Sequence, residues 1–196
     1  MRGQVELPVY GDYVGQAIKE IQRNARKGLH LCVRFSGGKD SVVLKWLFDQ
    51  AGIEYTARFS PTTVDPPEAL DFIRKYHKDV LWDMPRIGMF SLIIKKGFPP
   101  TRMCRYCCRE FKERNTCSKN AVTCTGVRQK ESLKRINRRK YEICRLDANV
   151  SFFNPIIDWT EEQVWTVIDD NHIPYCCTYD EGFTRLGCIG CPLTSS

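Results

Sequence analysis

Leu29-His-Leu-Cys-Val-Arg-Phe-Ser-Gly-Gly-Lys-Asp-Ser41 decides the fold. The stretch begins as an apolar run rich in strand formers and turns abruptly into two glycines among small polar residues. Val42, Val43, Leu44, Trp46, Leu47 and Phe48 follow at spacings that suit a buried helix, which gives strand, loop, helix. A loop in that position sits at a helix N-terminus, where unpaired backbone N–H groups and the helix dipole attract an anion. Gly37 and Gly38 let the backbone approach phosphate closely, Lys39 adds a mobile positive charge, and the Ser36 and Ser41 hydroxyls add donors. The spacing differs from the Walker pattern, which needs four residues between its first glycine and the Gly-Lys pair.

Outward from this stretch, strands and helices are expected to alternate. Asp12 to Lys27 carries Val14, Ala17, Ile18, Ile21 and Ala25 at helical spacing. Glu54 to Phe59 is a second strand, Ala69 to Tyr76 a helix begun by Pro67 and Glu68, and Val80 to Met84 a short third strand. Gly88 to Lys96 is helical, Cys107 to Cys117 is compatible with a helix, and Ala121 to Val127 forms a fourth strand. Phe152 to Ile157 is extended, and Thr160-Glu-Glu-Gln163 opens a helix to Asp170 with a capping-box pattern. This order predicts an open, mostly parallel α/β sheet flanked by helices, with a loop-rich, cysteine-bearing end. One domain over 1–196 is expected, with an N-terminal helix at 12–27, a core at 29–170 and a cysteine-rich tail at 171–196. Ligands of such sheets bind beyond the carboxyl ends of the strands, which is where the loops at Ser36, Asp65 and Arg128 fall.

Composition narrows the function classes. Hydrophobic residues at 42% and charged residues at 27% are ordinary for a globular protein and argue against wholesale disorder. No apolar run approaches the roughly 20 residues of a membrane span. Met1 to Leu7 lacks the pattern of a secretory signal, so a cytoplasmic protein with no membrane partner is expected. The net charge of +7 favours anionic partners. Eleven cysteines, odd in number and bunched in pairs, point to a metal or cluster in a reducing compartment rather than to a disulfide framework. Residues 128–140 carry seven basic side chains against one acidic, starting where a strand ends.

Five motifs appear in order: Ser36-Gly-Gly-Lys-Asp-Ser41, Cys107-Cys-Arg-Glu-Phe-Lys112, Thr125-Gly-Val-Arg-Gln-Lys-Glu-Ser132, Asn154-Pro-Ile-Ile-Asp-Trp159 and Gly187-Cys-Ile-Gly-Cys191. Together they resemble the phosphoadenosine phosphosulfate (PAPS) reductase family, in its iron–sulfur branch. The resemblance implies an adenine-nucleotide α-hydrolase-like (PP-loop) fold with the nucleotide on Ser36, Gly37, Gly38, Lys39, Asp40 and Ser41. Asp65, Gly126, Arg128, Ser132 and Arg135 are further candidates for phosphate, metal-bound phosphate or a second anion. Lys39, Asp40 and Arg128 are the candidate catalytic residues.

The family includes sulfonucleotide reductases and ATP-consuming sulfur-transfer enzymes. Reductases generally alter the PP-loop, which is intact here, and carry a Glu-Cys-Gly-Leu-His tail, which is absent before Ser196. The intact loop favours an ATP pyrophosphatase that, with Mg²⁺, adenylylates an acceptor for sulfur transfer, whereas the absent tail fits either a chain that continues past Ser196 or a protein that does not perform the reductase chemistry. A phosphoadenylyl- or adenylyl-sulfate reductase is the alternative, and a non-catalytic nucleotide- and cluster-binding subunit is a second. A sulfur or electron donor protein is an expected partner, and nucleic acid is a further candidate. The resemblance implies a 4Fe-4S cluster on Cys107, Cys108, Cys188 and Cys191, with Cys104 as an alternative ligand. Four thiolates also suit zinc, and buried free cysteines act as small hydrophobes. Cys32, Cys117, Cys124 and Cys144 are expected in the core, and Cys176-Cys177 as a redox pair or a packing element.

Overall fold

The computed structural model describes residues 12–113, 117, 121–144 and 150–193. The expectations for Met1 to Leu7, and the last residues of the cysteine-rich tail, lie outside them. Among the described residues, six strands form one sheet in the order β3-β2-β1-β4-β6-β5. They are β1 (His30–Phe35), β2 (Thr56–Phe59), β3 (Leu81–Trp82), β4 (Ala121–Cys124), β5 (Tyr141–Ile143) and β6 (Ser151–Phe153). All neighbours pair in parallel except β5 with β6, where Tyr141 stands opposite Phe153. Around the sheet lie α1 (Tyr13–Ala25), α2 (Lys39–Ala51), α3 (Pro67–Tyr76), α4 (Met89–Lys96), the short α5 (Tyr106–Cys108) and α6 (Glu161–Asp170).

The central strand β1 is buried along Leu31, Cys32 and Val33, as a strand covered on both faces should be. Helix α2 buries Val42, Val43, Leu44, Leu47 and Phe48, and this apolar face anchors the loop that precedes it. Helix α6 starts with the expected capping box: the Gln163 N–H donates to Thr160 Oγ1 at 3.1 Å, and the Thr160 N–H donates to Gln163 Oε1 at 2.8 Å.

The differences from the sequence expectations have local causes. β3 shrinks to Leu81–Trp82 because its pairing partner β2 ends at Phe59, opposite Trp82; beyond it the Asp83 N–H makes a last bond to the Phe59 carbonyl at 2.8 Å, and the Asp83 carboxylate pairs with Arg58 and Arg34. The segment opening on Tyr106 makes one α turn and then a π turn over Arg109–Glu113, and residues 114–116 of the expected helix lie outside the described ones. The extended segment expected over Phe152 to Ile157 keeps strand form only to Phe153; Asn154 to Trp159 then closes in tight turns, with the Ile157 N–H on the Asn154 carbonyl at 3.2 Å. β5 falls outside the expected strands because three residues, Tyr-Glu-Ile, are too few for a period to be read; it is an edge strand held by pairing to β6. Cys32 and Cys117, expected as free core cysteines, are joined in a disulfide spanning 85 residues of chain.

His77, at the end of α3, is wedged between Phe35 and Phe72, with ring centroids 4.6 and 5.1 Å away. Burial first, and then the Lys45 cation, lower its pKa from 6.5 to about 4, against the opposing pull of Asp79 and Asp49. The unfolded chain therefore binds a proton in a pH range where the native ring does not. The stabilisation is fully present above about 6.5 and is lost as pH falls toward 4. The thermal midpoint of the natural sequence is expected to fall more steeply across this window than that of His77→Phe. Parallel melting curves for the two proteins would overturn this assignment.

Candidate active site

The β1–β4 neighbourhood is where the strand order reverses direction, the place where an open parallel sheet leaves a crevice beyond its strand ends. Ser36 to Ser41 fills one side of that crevice, and Thr125 to Ser132, after β4, fills the other. A cavity of about 600 Å³ lined by Gln22, Arg26, His30 and Glu54 lies at the opposite edge, where β1 and β2 begin, away from both loops.

The first loop is shaped by glycine. Gly37 has φ +77°, a backbone state that side chains rarely adopt, and a Cβ there would press on Ile73 Cδ1 at 3.1 Å. Gly38 is the N-cap of α2, and its carbonyl accepts from the Ser41 and Val42 N–H groups at 2.9 and 3.0 Å. The Ser36 N–H donates to Ser41 Oγ at 3.2 Å, and Ser41 Oγ donates to the Gly38 carbonyl at 2.8 Å. These bonds hold the loop closed on itself while its outer edge faces the crevice.

Lys39 is only 3% exposed. Its Nζ lies 3.2 Å from Glu161 Oε1 and 3.7 Å from Asp40 Oδ2, and donates to the Thr184 carbonyl at 3.1 Å. Its N–H donates to the Tyr179 hydroxyl at 3.0 Å. The Tyr179 pKa is pushed up to about 12, chiefly by burial, against the Lys39 and Leu186 backbone donors that lower it. The chain from Cys177 to Leu186 thus lies against the phosphate loop, a proximity that no local pattern in the sequence announces.

Arg128 is 2% exposed, and its Nε is ion-paired with Asp40. A Cβ on Gly126 would stand 2.8 Å from the Asp40 carbonyl, so a glycine is required where the second loop crosses the start of α2. Asn154, fully buried, holds this loop from below: its Oδ1 accepts from Thr125 Oγ1, and its Nδ2 donates to the Arg139 carbonyl at 2.8 Å. The Asn154 to Trp159 motif, to which the sequence reading assigned no task, is therefore the floor of the Arg128 loop.

Glu131 is held between Arg135 and Arg185, with Arg185 Nη2 at 2.8 Å. Burial, followed by the nearby Arg185, lowers the Arg135 pKa to about 10; Asp40 opposes, and Arg138 and Arg128 lower it further. Four guanidinium groups thus share one electrostatic neighbourhood beside Asp40. Arg185 was absent from the sequence candidates, and a lone arginine in a loop offers no signal. Ser132 separates two short 3₁₀ turns and lends its carbonyl to the Arg135 N–H at 2.8 Å.

Asp65 accepts from the Thr62 N–H at 2.5 Å, closing a turn. It also lies near Lys112, on the cysteine side of the molecule. Thr62 Oγ1 donates to Cys188 Sγ at 3.3 Å, and the Ile189 N–H donates to the Val64 carbonyl at 2.8 Å, fastening the Cys188–Cys191 segment to the loop after β2. Burial alone would lower the Lys112 pKa, but Cys188, Asp65 and Cys108 together raise it. The Cys108 thiol is pushed up to about 11 by burial and by Cys107, against Lys112 and Arg105.

Cys108 and Cys188, 80 residues apart in sequence, thus share one neighbouring cation, Lys112. Four thiols with lysine and hydroxyl donors beside them fit a thiolate-bound metal in kind. Among the described residues, no three His, Cys, Asp or Glu side chains converge closely enough to hold an ion. Cys104 is exposed on the same face, its N–H donating to Thr101 Oγ1 at 3.0 Å.

Residues 30–194 match the family model of the phosphoadenosine phosphosulfate reductase domain. The chain belongs to the PAPS reductase family. An uncharacterised protein of Methanocaldococcus jannaschii is 31% identical over 169 residues, covering 81% of this chain and 40% of the relative, so the chain spans about two fifths of that relative's length. Adenosine 5'-phosphosulfate reductase of Allochromatium vinosum is 22% identical over 89% of this chain and 62% of its own.

Among solved structures, PAPS reductase from Candida auris superposes with a TM-score of 0.65 at 17% identity, covering 95% of this chain and 98% of the other. FMN adenylyltransferase of Candida glabrata, in complex with FAD and inorganic pyrophosphate, also gives 0.65, at 13% identity over 94% and 66%. These likenesses establish the adenine-nucleotide α-hydrolase fold for this PAPS reductase family member. Among the described residues, no helix is long and apolar enough to cross a membrane.

Proposed function

We propose that this protein cleaves ATP between its α and β phosphates and adenylylates an acceptor for sulfur transfer. The observation that carries this reading is the complete Ser36–Ser41 loop at the N-terminus of α2, with Lys39 buried inside it. In this reading the N–H groups of Gly37, Gly38 and Lys39 bind phosphate oxygens, with the Tyr179 hydroxyl giving way at Lys39. The Lys39 ammonium, oriented by Asp40, Glu161 and the Thr184 carbonyl, neutralises charge on the leaving pyrophosphate. Asp40 holds Arg128 at the loop edge, and Arg135 with Arg185 form the second anion clamp. Mg²⁺ bound with ATP supplies further neutralisation of the phosphates. The test is pyrophosphate release from Mg-ATP, measured with candidate acceptors.

A second reading, reduction of a sulfonucleotide, is favoured by the likeness to adenosine 5'-phosphosulfate reductase of Allochromatium vinosum and to PAPS reductase of Candida auris. Sulfite release from a sulfonucleotide and a thiol donor, without ATP turnover, would establish this reading and overturn the first.

Cys107, Cys108, Cys188 and Cys191 would hold a 4Fe-4S cluster, whose chemistry at this site is electron or sulfur exchange. The positive charge of Lys112 and the Thr62 hydroxyl would stabilise the thiolates facing them. An anaerobic preparation is expected to contain iron and acid-labile sulfide, and Cys108→Ser and Cys188→Ser to lose both. One zinc and no iron per chain would overturn this assignment.

A further inference from the structure

Four of the seven cations in the basic run at 128–140, conspicuous in the sequence, are ion-paired in the fold. Arg128 pairs with Asp40, Arg135 with Glu131, Arg138 with Glu142 and Lys140 with Glu20. The unspent charge lies elsewhere. Residues 84–109 contain six basic side chains and no acidic one, so they hold +6 of the chain's net +7 and leave +1 for all the rest. Arg86, Lys95, Lys96, Arg105 and Arg109 form no ion pair among the described residues.

The same stretch exposes an apolar strip. Helix α4 turns Met89 and Leu92 inward against Phe111 and leaves Phe90 and Ile94, one turn apart on its outer face, 74% and 82% exposed. Phe98 continues the strip past the helix end, its ring 5.6 Å from that of Tyr106, and Lys96 lies over the Tyr106 ring at 5.8 Å. Exposed phenylalanine, isoleucine and methionine rimmed by arginine match the composition of protein interfaces, where aromatic residues, Met and Arg are enriched. Three observations select the occupant. Cations of one sign repel a second copy of this face. Phe90 and Phe98 present rings, but they are interleaved with aliphatic Ile94 and accompanied by the exposed Met84 and Met103, which give a base no surface to stack on and suit apolar side chains of a protein. The Phe90/Ile94 spacing matches the anchors of a packed helix.

We propose that the outer face of α4 with Phe98 is a docking site for an acidic amphipathic helix of a partner protein. Apolar anchors of that helix lie along Phe90, Ile94 and Phe98, and its carboxylates meet Lys95, Lys96, Arg105 and Arg109. The proposal does not depend on which reaction the phosphate loop performs.

The test uses a fluorescein-labelled synthetic helix with leucines at every third and fourth position and glutamates elsewhere, titrated against the whole chain by anisotropy. A scrambled peptide of the same composition and a mixed-sequence single-stranded oligonucleotide are the comparisons. The amphipathic peptide is expected to bind at least tenfold more tightly than its scramble. Phe90→Ser with Ile94→Ser, and separately Lys95→Glu with Lys96→Glu, are each expected to weaken it tenfold or more, with the thermal midpoint unchanged. Equal binding of peptide and scramble, tighter binding of the oligonucleotide, insensitivity to both variants, or no binding would each overturn the proposal.

Discussion

Lys39→Ala is expected to lower pyrophosphate release from Mg-ATP by about 10²–10³-fold, the usual loss when one preorganised donor to a developing anion is removed. The ammonium is oriented from three sides, by Asp40, Glu161 and the Thr184 carbonyl, so reorganisation during the reaction is small. The fold should survive, because Glu161 is half exposed and solvated once its partner is gone, and α2 keeps its buried apolar face. Lys39→Arg is expected to restore little, since a planar guanidinium does not reproduce the three-sided geometry of an ammonium. Turnover within twofold of the natural protein, with an unchanged melting curve, would remove Lys39 from the chemistry and with it the proposed reaction.

The second large effect is on stability. Arg128→Ala strips a buried cation from Asp40 and leaves a carboxylate at the start of α2 whose remaining ion pair is the longer one to Lys39, with Arg135 nearby. Losing one partner of a buried pair costs about 3 kcal/mol, which for a chain of this size lowers the thermal midpoint by about 10 °C. Asp40→Asn alone should cost less, because asparagine still accepts a hydrogen bond. The double variant Arg128→Ala/Asp40→Asn should be more stable than the sum of the single losses predicts, the mark of a coupled pair. Strict additivity would mean that the two side chains act independently despite their contact.

Both predictions rest on residues that the sequence made candidates, yet for Lys39 and Arg128 the partners that set the magnitude were not visible there. The phosphate loop was legible because its chemistry is local: a strand ends, glycines follow and a helix begins, all within thirteen residues of chain. The alternation of strands and helices was legible for the same reason, and so was the capping box at Thr160. Tyr179 and Arg185 were not, because the segment that brings them to the loop has no periodicity of its own. It is positioned by contacts such as Lys39 with Thr184, 145 residues apart. β5 escaped notice because an edge strand is defined by its neighbour's hydrogen bonds rather than by its own side-chain pattern. The Cys32–Cys117 disulfide was likewise hidden, since each cysteine alone is indistinguishable from a small core residue.

The charge distribution shows the same division most clearly. A count of basic residues pointed to 128–140, and the fold pairs much of that run with Asp40, Glu131, Glu142 and Glu20 while leaving the cations of 84–109 in solvent. The sequence by itself determined the sheet class, the phosphate loop at a helix N-terminus and the family. The tertiary structure alone decided which charges cancel, which loops face one another across the β1–β4 crevice and which apolar face stays uncovered. Hydrophobic period and loop chemistry act over a few residues, whereas ion pairs such as Arg128 with Asp40, 88 residues apart, exist only once the strand order is set.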